Sequence, residues 1–152
     1  KSLDEIVWAV KPRNDTLAQL ADYAGQFALD YLQMAGIRCR LDFPDALPER
    51  ELSTDARHNL FLVVKESLNN VVKHAHATEV NLRLSATTDS LQIEIADNGC
   101  GLASTSTDAW PDGLKNMRQR MQDIGGEFFV ENQNGGGAKV VARFPFPREG
   151  KK

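Results

Sequence analysis

Several features that mark specialised protein classes are scarce in this sequence. Its 152 residues include two cysteines, Cys39 and Cys100, outside any Cys-x-x-Cys pair, which excludes a disulfide scaffold and predicts unpaired thiols in a reducing compartment. No apolar run approaches the roughly 18 residues of a membrane span, and no secretory signal peptide is present. Basic residues are not in excess, since 18 Lys and Arg stand against 21 Asp and Glu. This balance argues against broad binding to nucleic acid or membrane surfaces.

What is present is typical of one soluble globular domain, with 41% hydrophobic and 26% charged residues. The chain begins with Lys1 rather than methionine, which predicts that it is part of a longer protein. Residues 1–12 carry a short apolar stripe that Pro12 ends, as expected for the last turns of a longer helix. We expect the domain to span residues 13–147 and residues 148–152 to form a disordered tail.

Hydrophobic periodicity predicts three main helices and five strands in the domain. The first helix follows a cap at Asn14 or Asp15 and ends at Gly36, the second starts near Ser53 or Thr54 and carries its apolar stripe to Ala75, and the third spans Leu114 to Ile124. The predicted strands have one apolar and one polar face and lie near residues 38–43, 80–85, 91–97, 127–132 and 139–144. The fold class is therefore α/β, a two-layer sandwich with a mixed five-stranded sheet and the helices on one face.

Asp97 is the first candidate for a functional residue. Strand alternation places it on the same face as Leu91, Ile93 and Ile95, where a carboxylate is costly unless something bonds to it. Gly99 and Gly101 follow, and glycines allow the backbone to approach a ligand closely. An Asp-Asn-Gly turn explains the first glycine. It does not explain the inward carboxylate or the second glycine, so we favour a binding site.

The second helix carries a polar face opposite its apolar stripe. At about 100° per residue, Glu66, Asn70, Lys73 and His74 fall on one side. A solvated face gives the same pattern. However, Asn69-Asn70 is a poor helix-forming pair, and Asn and Glu oxygens are suitable ligands for Mg²⁺. Both interpretations remain open for this helix alone.

The third helix opens at Gly113, after a small, polar segment over 98–113 that predicts a mobile loop in which only Trp110 can anchor a core. A helix N-terminus is a ready anion site, and Lys115, Arg118 and Arg120 add positive charge. The alternative is an amphipathic helix with a basic outer face. Residues 134–137, Asn-Gly-Gly-Gly, indicate a hairpin tip rather than a phosphate loop.

Taken in order, four segments resemble the ATP-binding catalytic domain of sensor histidine kinases, in the GHKL ATPase superfamily, and more narrowly its nitrate- and degradation-sensor branch. The similarity runs from Leu52 to Pro145 and rests on Glu66-x-x-x-Asn70-x-x-Lys73-His74-Ala75, Asp97-Asn98-Gly99-Cys100-Gly101-Leu102, Gly113-Leu114-x-Asn116-Met117-x-x-Arg120, and Gly136-Gly137-Ala138 with Phe144-Pro145. Residues 3–10 resemble the end of the dimerisation helix that precedes such domains.

The resemblance implies roles for these residues. Asp97 would bond to the adenine amino group, Asn70 would hold Mg²⁺ on the phosphates with Glu66 on the same face, as metal ligand or base, and Lys73 or His74 would lie near the phosphates. Residues 102–112 would form the ATP lid. Gly99 and Gly101 would leave room for the nucleotide. The other residues expected to contact it are Leu102, Gly113, Leu114, Arg120 and Gly137.

The resemblance also implies the partners. These are ATP, Mg²⁺, a helical domain that carries the phosphoacceptor histidine, and a response regulator. The domain would be cytoplasmic, in a parent protein that is homodimeric and, as often in the family, membrane-anchored, whereas this chain alone would be monomeric. None of His58, His74 and His76 is followed by an acidic residue, as the family's acceptor is, so the acceptor is expected outside this chain.

Three departures from the family pattern keep alternatives open. Pro111 stands where a glycine is usual, Asp112 adds negative charge near the expected phosphates, and Ala138 stands where threonine is usual. One alternative is another GHKL member, such as a serine kinase that acts on an anti-sigma system or a slow ATPase. A second is a degenerate nucleotide-binding interaction module. An RNA-binding α/β domain is disfavoured, because its sheet would need exposed aromatic residues with a basic surface.

Overall fold

A computed structural model describes residues 16–101 and 110–147. Among them are three α-helices and five strands. The helices are α1 (Leu17–Met34), α2 (Thr54–Asn70) and α3 (Asp112–Asp123), and a π-helical turn, Val71–Ala75, continues α2. The strands are β1 (Arg38–Asp42), β2 (Glu79–Ala86), β3 (Ser90–Asp97), β4 (Glu127–Asn132) and β5 (Ala138–Pro145).

The strands form one mixed sheet in the order β1-β2-β3-β5-β4. β1 runs parallel to β2, and the other neighbouring pairs are antiparallel. Alternate residues of β2 and β3 are buried, and the core comprises these residues with the apolar sides of the helices. The opposite face carries exposed ion pairs such as Arg83–Asp42. The predicted two-layer α/β sandwich is thus confirmed.

The helix boundaries differ slightly from the expected ones. The cap of α1 is Thr16, whose hydroxyl accepts from Gln19 N at 3.2 Å, rather than Asn14 or Asp15. Ser53 caps α2 as predicted, with its hydroxyl accepting from Ala56 N. α3 begins at Asp112, two residues before the predicted start at Leu114, because Pro111 takes the extended N-cap conformation.

The segment before α3 is anchored by an aromatic side chain. Trp110 is 6% exposed and packs edge-to-face against Phe128 of β4, and the Arg118 guanidinium lies over the Trp110 ring. Trp110 is therefore a core residue, as its sequence context indicated, and the prediction of a mobile loop over 98–113 is wrong for its last residues, since α3 begins at Asp112.

Some predictions fall outside the described residues. These are the helix over 3–10, most of the proposed lid (102–109) and the tail over 148–152. In the part of the chain that is described, no helix is long and apolar enough to cross a membrane. Cys39 and Cys100 are both free, and burial raises the pKa of the Cys39 thiol.

Candidate functional site

A cavity of about 340 Å³ lies between the C-terminal end of α2, the end of β3 and the N-terminus of α3. Most of the sequence-predicted candidates converge there. Its lining includes Glu66, Asn70, Lys73, His74, Asp97, Gly101, Gly113 and Leu114. Residues that are more than 30 positions apart in sequence therefore share one pocket.

Asp97 lines this cavity, and its inward orientation is confirmed. It is 8% exposed and ends the alternating buried face of β3. Its Oδ1 accepts from Gly99 N at 2.8 Å and from Ala138 N at 3.4 Å. Since both recorded bonds to the carboxylate use Oδ1, the second oxygen retains its capacity to accept a hydrogen bond from a ligand.

The glycines around Asp97 make room for neighbouring protein atoms, which are backbone atoms at Gly99 and Gly137 and a side chain at Gly101. A Cβ on Gly99 would lie 2.0 Å from Ala75 O, and one on Gly137 would lie 1.8 Å from Asp97 O. A Cβ on Gly101, which has φ +76°, would lie 2.8 Å from Asn132 Oδ1. Close backbone approach thus accounts for Gly99 and Gly137, whereas the expectation that Gly99 leaves space for a nucleotide has no such contact behind it. Among the three, Gly101 lines the cavity.

Asn98 fixes the start of the same loop. Its Oδ1 accepts from Thr78 N and Glu79 N at 2.9 and 3.0 Å, and its Nδ2 donates to Thr78 Oγ1. Cys100 N donates to Ala75 O at 2.8 Å. The loop after β3 is therefore tied to the π-helical turn and to β2, which holds the floor of the cavity in place.

The polar end of α2 faces the N-terminus of α3. A Cβ on Gly113 would lie 2.9 Å from Glu66 Oε2, which would have to move, and at an ordinary contact distance of 3.6 Å from both amide atoms of Asn70. The N-cap Pro111 makes no side-chain capping bond. Leu114 N and Lys115 N donate to Pro111 O, so the N–H groups of Asp112 and Gly113 are the ones that this helix N-terminus offers to an anion beside Glu66 and Asn70.

The remaining predicted residues are placed as follows. Lys73 and His74 are exposed at the cavity wall, and Leu114 is a buried part of its lining. Arg120 is exposed and does not line the cavity, and its carbonyl accepts from Asn59 Nδ2 at 2.9 Å. Leu102 lies outside the described residues.

The structure adds cavity residues that the sequence reasoning missed. Ser67 is 2% exposed and its hydroxyl donates to Met117 Sδ. Val130 and Val140 supply an apolar wall from β4 and β5. Asn69 lines the cavity and its Oδ1 accepts from the Tyr31 hydroxyl at 2.9 Å. In the sequence, the poor helix propensity of the Asn69-Asn70 pair was the one indication that Asn69 could belong to a site. For the two valines, the alternation of apolar and polar residues indicated only a buried face of the sheet.

Removing the Tyr31 hydroxyl is expected to weaken the link between α1 and the cavity. The ring would keep its stacking on Phe27, so Tyr31→Phe deletes one hydrogen bond and lowers the free energy of unfolding by about 0.5–1.5 kcal/mol. Urea denaturation of Tyr31→Phe, Asn69→Ala and the double variant measures this as a coupling energy. Strictly additive effects would show that the bond contributes nothing net.

Comparison with known proteins gives a consistent result. The sequence profile of the histidine kinase-, DNA gyrase B-, and HSP90-like ATPases matches residues 55–148. The nitrate/nitrite sensor protein NarX of Escherichia coli K12 is 29% identical over 115 residues, covering 76% of this chain and 19% of NarX. The sensor histidine kinase LiaS of Bacillus subtilis is 30% identical over 110 residues, covering 72% of this chain and 31% of LiaS.

Solved structures show the same architecture. The ATP binding domain of PrrB from Mycobacterium tuberculosis has a TM-score of 0.69 and 28% identity, with 88% of this chain and 96% of that chain covered. The histidine kinase domain from the Erythrobacter litoralis EL346 blue-light activated kinase has a TM-score of 0.69 and 23% identity, with 84% of this chain and 61% of that chain covered.

The matches cover different shares of the relatives and of this chain. The aligned region spans 19% of NarX and 31% of LiaS, so the curated relatives are much longer proteins. The family profile, in contrast, covers more than half of this chain, from the N-terminal turn of α2 to the end of β5. The chain therefore belongs to the histidine kinase-, DNA gyrase B- and HSP90-like ATPases.

Proposed function

We propose that this chain is the Mg-ATP-binding catalytic domain of a two-component sensor histidine kinase. The observation that carries the proposal is the convergence of Asp97, Asn70 and Glu66 on one cavity that the N-terminus of α3 closes on one side. The names of the curated relatives, which are sensor kinases, favour this activity over other ATPases of the family.

Asp97 would select the base. Its Oδ1 is occupied by two backbone N–H groups, which leaves Oδ2 to accept from the amino group of adenine. Val130 and Val140 supply an apolar surface against which a purine ring can pack. A 6-oxo base would present an acceptor to the carboxylate and would be rejected, because two acceptors cannot form a hydrogen bond.

The donor set near α3 fits a magnesium ion bound together with phosphates. Asn70 and Glu66 supply an amide and a carboxylate oxygen side by side, and Mg²⁺ commonly takes one or two such ligands with phosphate and water. Within residues 16–101 and 110–147, no cluster of three His, Cys, Asp or Glu side chains could hold a metal without those phosphates. When bound, the ion would neutralise charge on the β- and γ-phosphates.

The chain's own groups would position the γ-phosphoryl for transfer. A nitrogen of the acceptor histidine forms the new N–P bond while the bond to the β–γ bridging oxygen breaks and ADP leaves. Glu66 would either take the imidazole proton or orient water and metal. Lys73 and the N–H groups of Asp112 and Gly113 at the start of α3 would bind phosphate oxygens. Catalysis of this type is mainly positioning and charge stabilisation.

The partners follow from this chemistry. The acceptor histidine would lie on a helical domain outside this chain, and a response regulator would receive the phosphoryl group afterwards. Because ATP and response regulators are cytoplasmic, we propose that the domain acts there, within a homodimeric parent protein. Membrane anchorage would be a property of other segments of that parent.

One observation favours a second candidate, a nucleotide-binding module without phosphotransfer. Asp112 lies in the first turn of α3, next to Gly113, which contacts Glu66. Two carboxylates near one phosphate site weaken triphosphate binding by charge repulsion. Titration with ATP, with and without Mg²⁺, followed by a transfer assay separates the candidates: Mg-dependent binding without transfer to any supplied helical domain would favour the module.

The isolated chain is expected not to phosphorylate itself. None of His58, His74 and His76 has an acidic residue after it, and His74 lines the nucleotide cavity itself. Incubation with Mg-ATP labelled at the γ-position, followed by analysis of acid-labile phosphate, tests this. Label should appear on a helical domain that carries an acceptor histidine, when one is supplied. Stoichiometric labelling of any of the three histidines would contradict the prediction.

A further inference from the structure

The side chain of Gln133 reaches Asp97 from a neighbouring hairpin. Its Nε2 donates to the Asp97 carbonyl oxygen at 3.1 Å, across 36 positions of sequence. Gln133 lies in the turn between β4 and β5. Two backbone hydrogen bonds close this turn, from Gln133 N to Gly137 O (2.9 Å) and from Gly136 N to Gln133 O (3.2 Å). Gln133 is not one of the residues that line the cavity.

Because the Gln133 amide bonds to the Asp97 carbonyl, the backbone N–H of Ala138 is available to the Asp97 carboxylate. The β3–β5 pairing ends at Ala96 and Lys139, so Ala138 is the next residue on the β5 side. Its N–H bonds to Asp97 Oδ1, while the Asp97 carbonyl takes the Gln133 amide. Without Gln133, that partly buried carbonyl would lack a side-chain partner and would compete with the carboxylate for the Ala138 N–H.

The hairpin is held against Asp97 closely enough for such a competition. A Cβ on Gly137 would lie 1.8 Å from the Asp97 carbonyl oxygen, so the backbones of the two segments are packed directly against each other. Ala138 has no side-chain donor to replace the bond. Gln133 is therefore the side chain of this hairpin that bonds to the Asp97 carbonyl, while Gly99 N and Ala138 N bond to the carboxylate.

We infer that Gln133 is a positioning residue for base recognition: it bonds to the Asp97 main chain so that the Ala138 N–H can fix the Asp97 carboxylate for an amino-substituted purine. The inference rests on the proposed function, since it needs Asp97 to face the base. Loss of one such hydrogen bond is expected to weaken ATP binding roughly threefold to tenfold. Binding of inosine triphosphate, which lacks the amino group, would change less, so the preference for ATP would shrink.

The test compares dissociation constants for Mg-ATP and Mg-inosine triphosphate in the 152-residue chain, Gln133→Ala, Gln133→Glu and the control Asn134→Ala. Gln133→Glu keeps the shape of the side chain but removes the donor, so it tests the bond if the alanine variant fails to fold. Asn134 is exposed at the same hairpin. Circular dichroism and thermal melting establish that each variant is folded.

The outcomes separate the two hypotheses. If the parent chain binds neither nucleotide, or binds both equally, the proposed function of Asp97 fails and this inference fails with it. If the parent prefers ATP, a reduced ATP preference in both Gln133 variants, with Asn134→Ala unchanged, supports the inference. An unaltered preference in a folded Gln133 variant overturns it, and so does an equal loss of affinity for both nucleotides, because the hairpin would then act only as a structural support.

Discussion

Asn70→Ala is expected to abolish the effect of Mg²⁺ on ATP binding and to reduce phosphotransfer to a supplied acceptor domain by at least about a hundredfold. The amide of Asn70 lies beside Glu66 near the N-terminus of α3, and alanine removes the Asn70 oxygen from this pair of proposed ligands. Charge stabilisation by a bound cation contributes several kcal/mol to reactions of this type, which sets the size of the effect.

Titration of ATP into the parent chain and the variant, each with Mg²⁺ and with a chelator, measures the first part. Asn81→Ala is a matched control, since Asn81 is exposed on the opposite face of the sheet. If Mg²⁺ still tightens ATP binding in Asn70→Ala as much as in the parent, Asn70 belongs to an ordinary polar face of α2.

Asp97→Asn is expected to weaken ATP binding by about 10- to 150-fold while the chain stays folded. The bonds from Gly99 N and Ala138 N hold an oxygen at the Oδ1 position, so an amide would present its NH₂ group where the carboxylate presents Oδ2. The amino group of adenine would then face a donor. Loss of a hydrogen bond to a charged group costs about 1.5–3 kcal/mol, which corresponds to that range.

Isothermal titration with ATP and inosine triphosphate tests this substitution. The variant should lose the discrimination between the two bases, whereas Asp45→Asn, in the exposed loop after β1, should behave as the parent does. Unchanged ATP affinity in a folded Asp97→Asn variant would exclude the adenine role.

The two substitutions remove different proposed contacts with Mg-ATP in one cavity, so their effects should differ in kind. Asn70→Ala should alter metal dependence without changing the choice of base, and Asp97→Asn should do the reverse. A variant that altered both would indicate a change in the whole cavity rather than the loss of one contact. This comparison therefore serves as an internal check on the assignment of the adenine and phosphate contacts.

Much of the fold could be predicted from the sequence because local patterns encode it. The alternation in β2 and β3 gave the sheet faces, and with them the inward orientation of Asp97. The helical period placed Glu66 and Asn70 on one face. The departure lies just beyond Asn70, where residues 71–75 form a π-helical turn rather than further α-helix. A 3.6-residue period cannot predict that turn, although Lys73 and His74 do line the cavity.

The sequence by itself determined the elements, the buried faces and the set of polar residues that could form a site, since these depend on spacing along the chain. The tertiary structure alone decided which distant segments touch. It placed Gly113 against Glu66, the Tyr31 hydroxyl on Asn69 and the Gln133 amide on the Asp97 carbonyl. Such contacts join residues 36 or more positions apart, and no local period encodes them. They depend on how the sheet order brings β5 beside β3 and on how the helices pack over it.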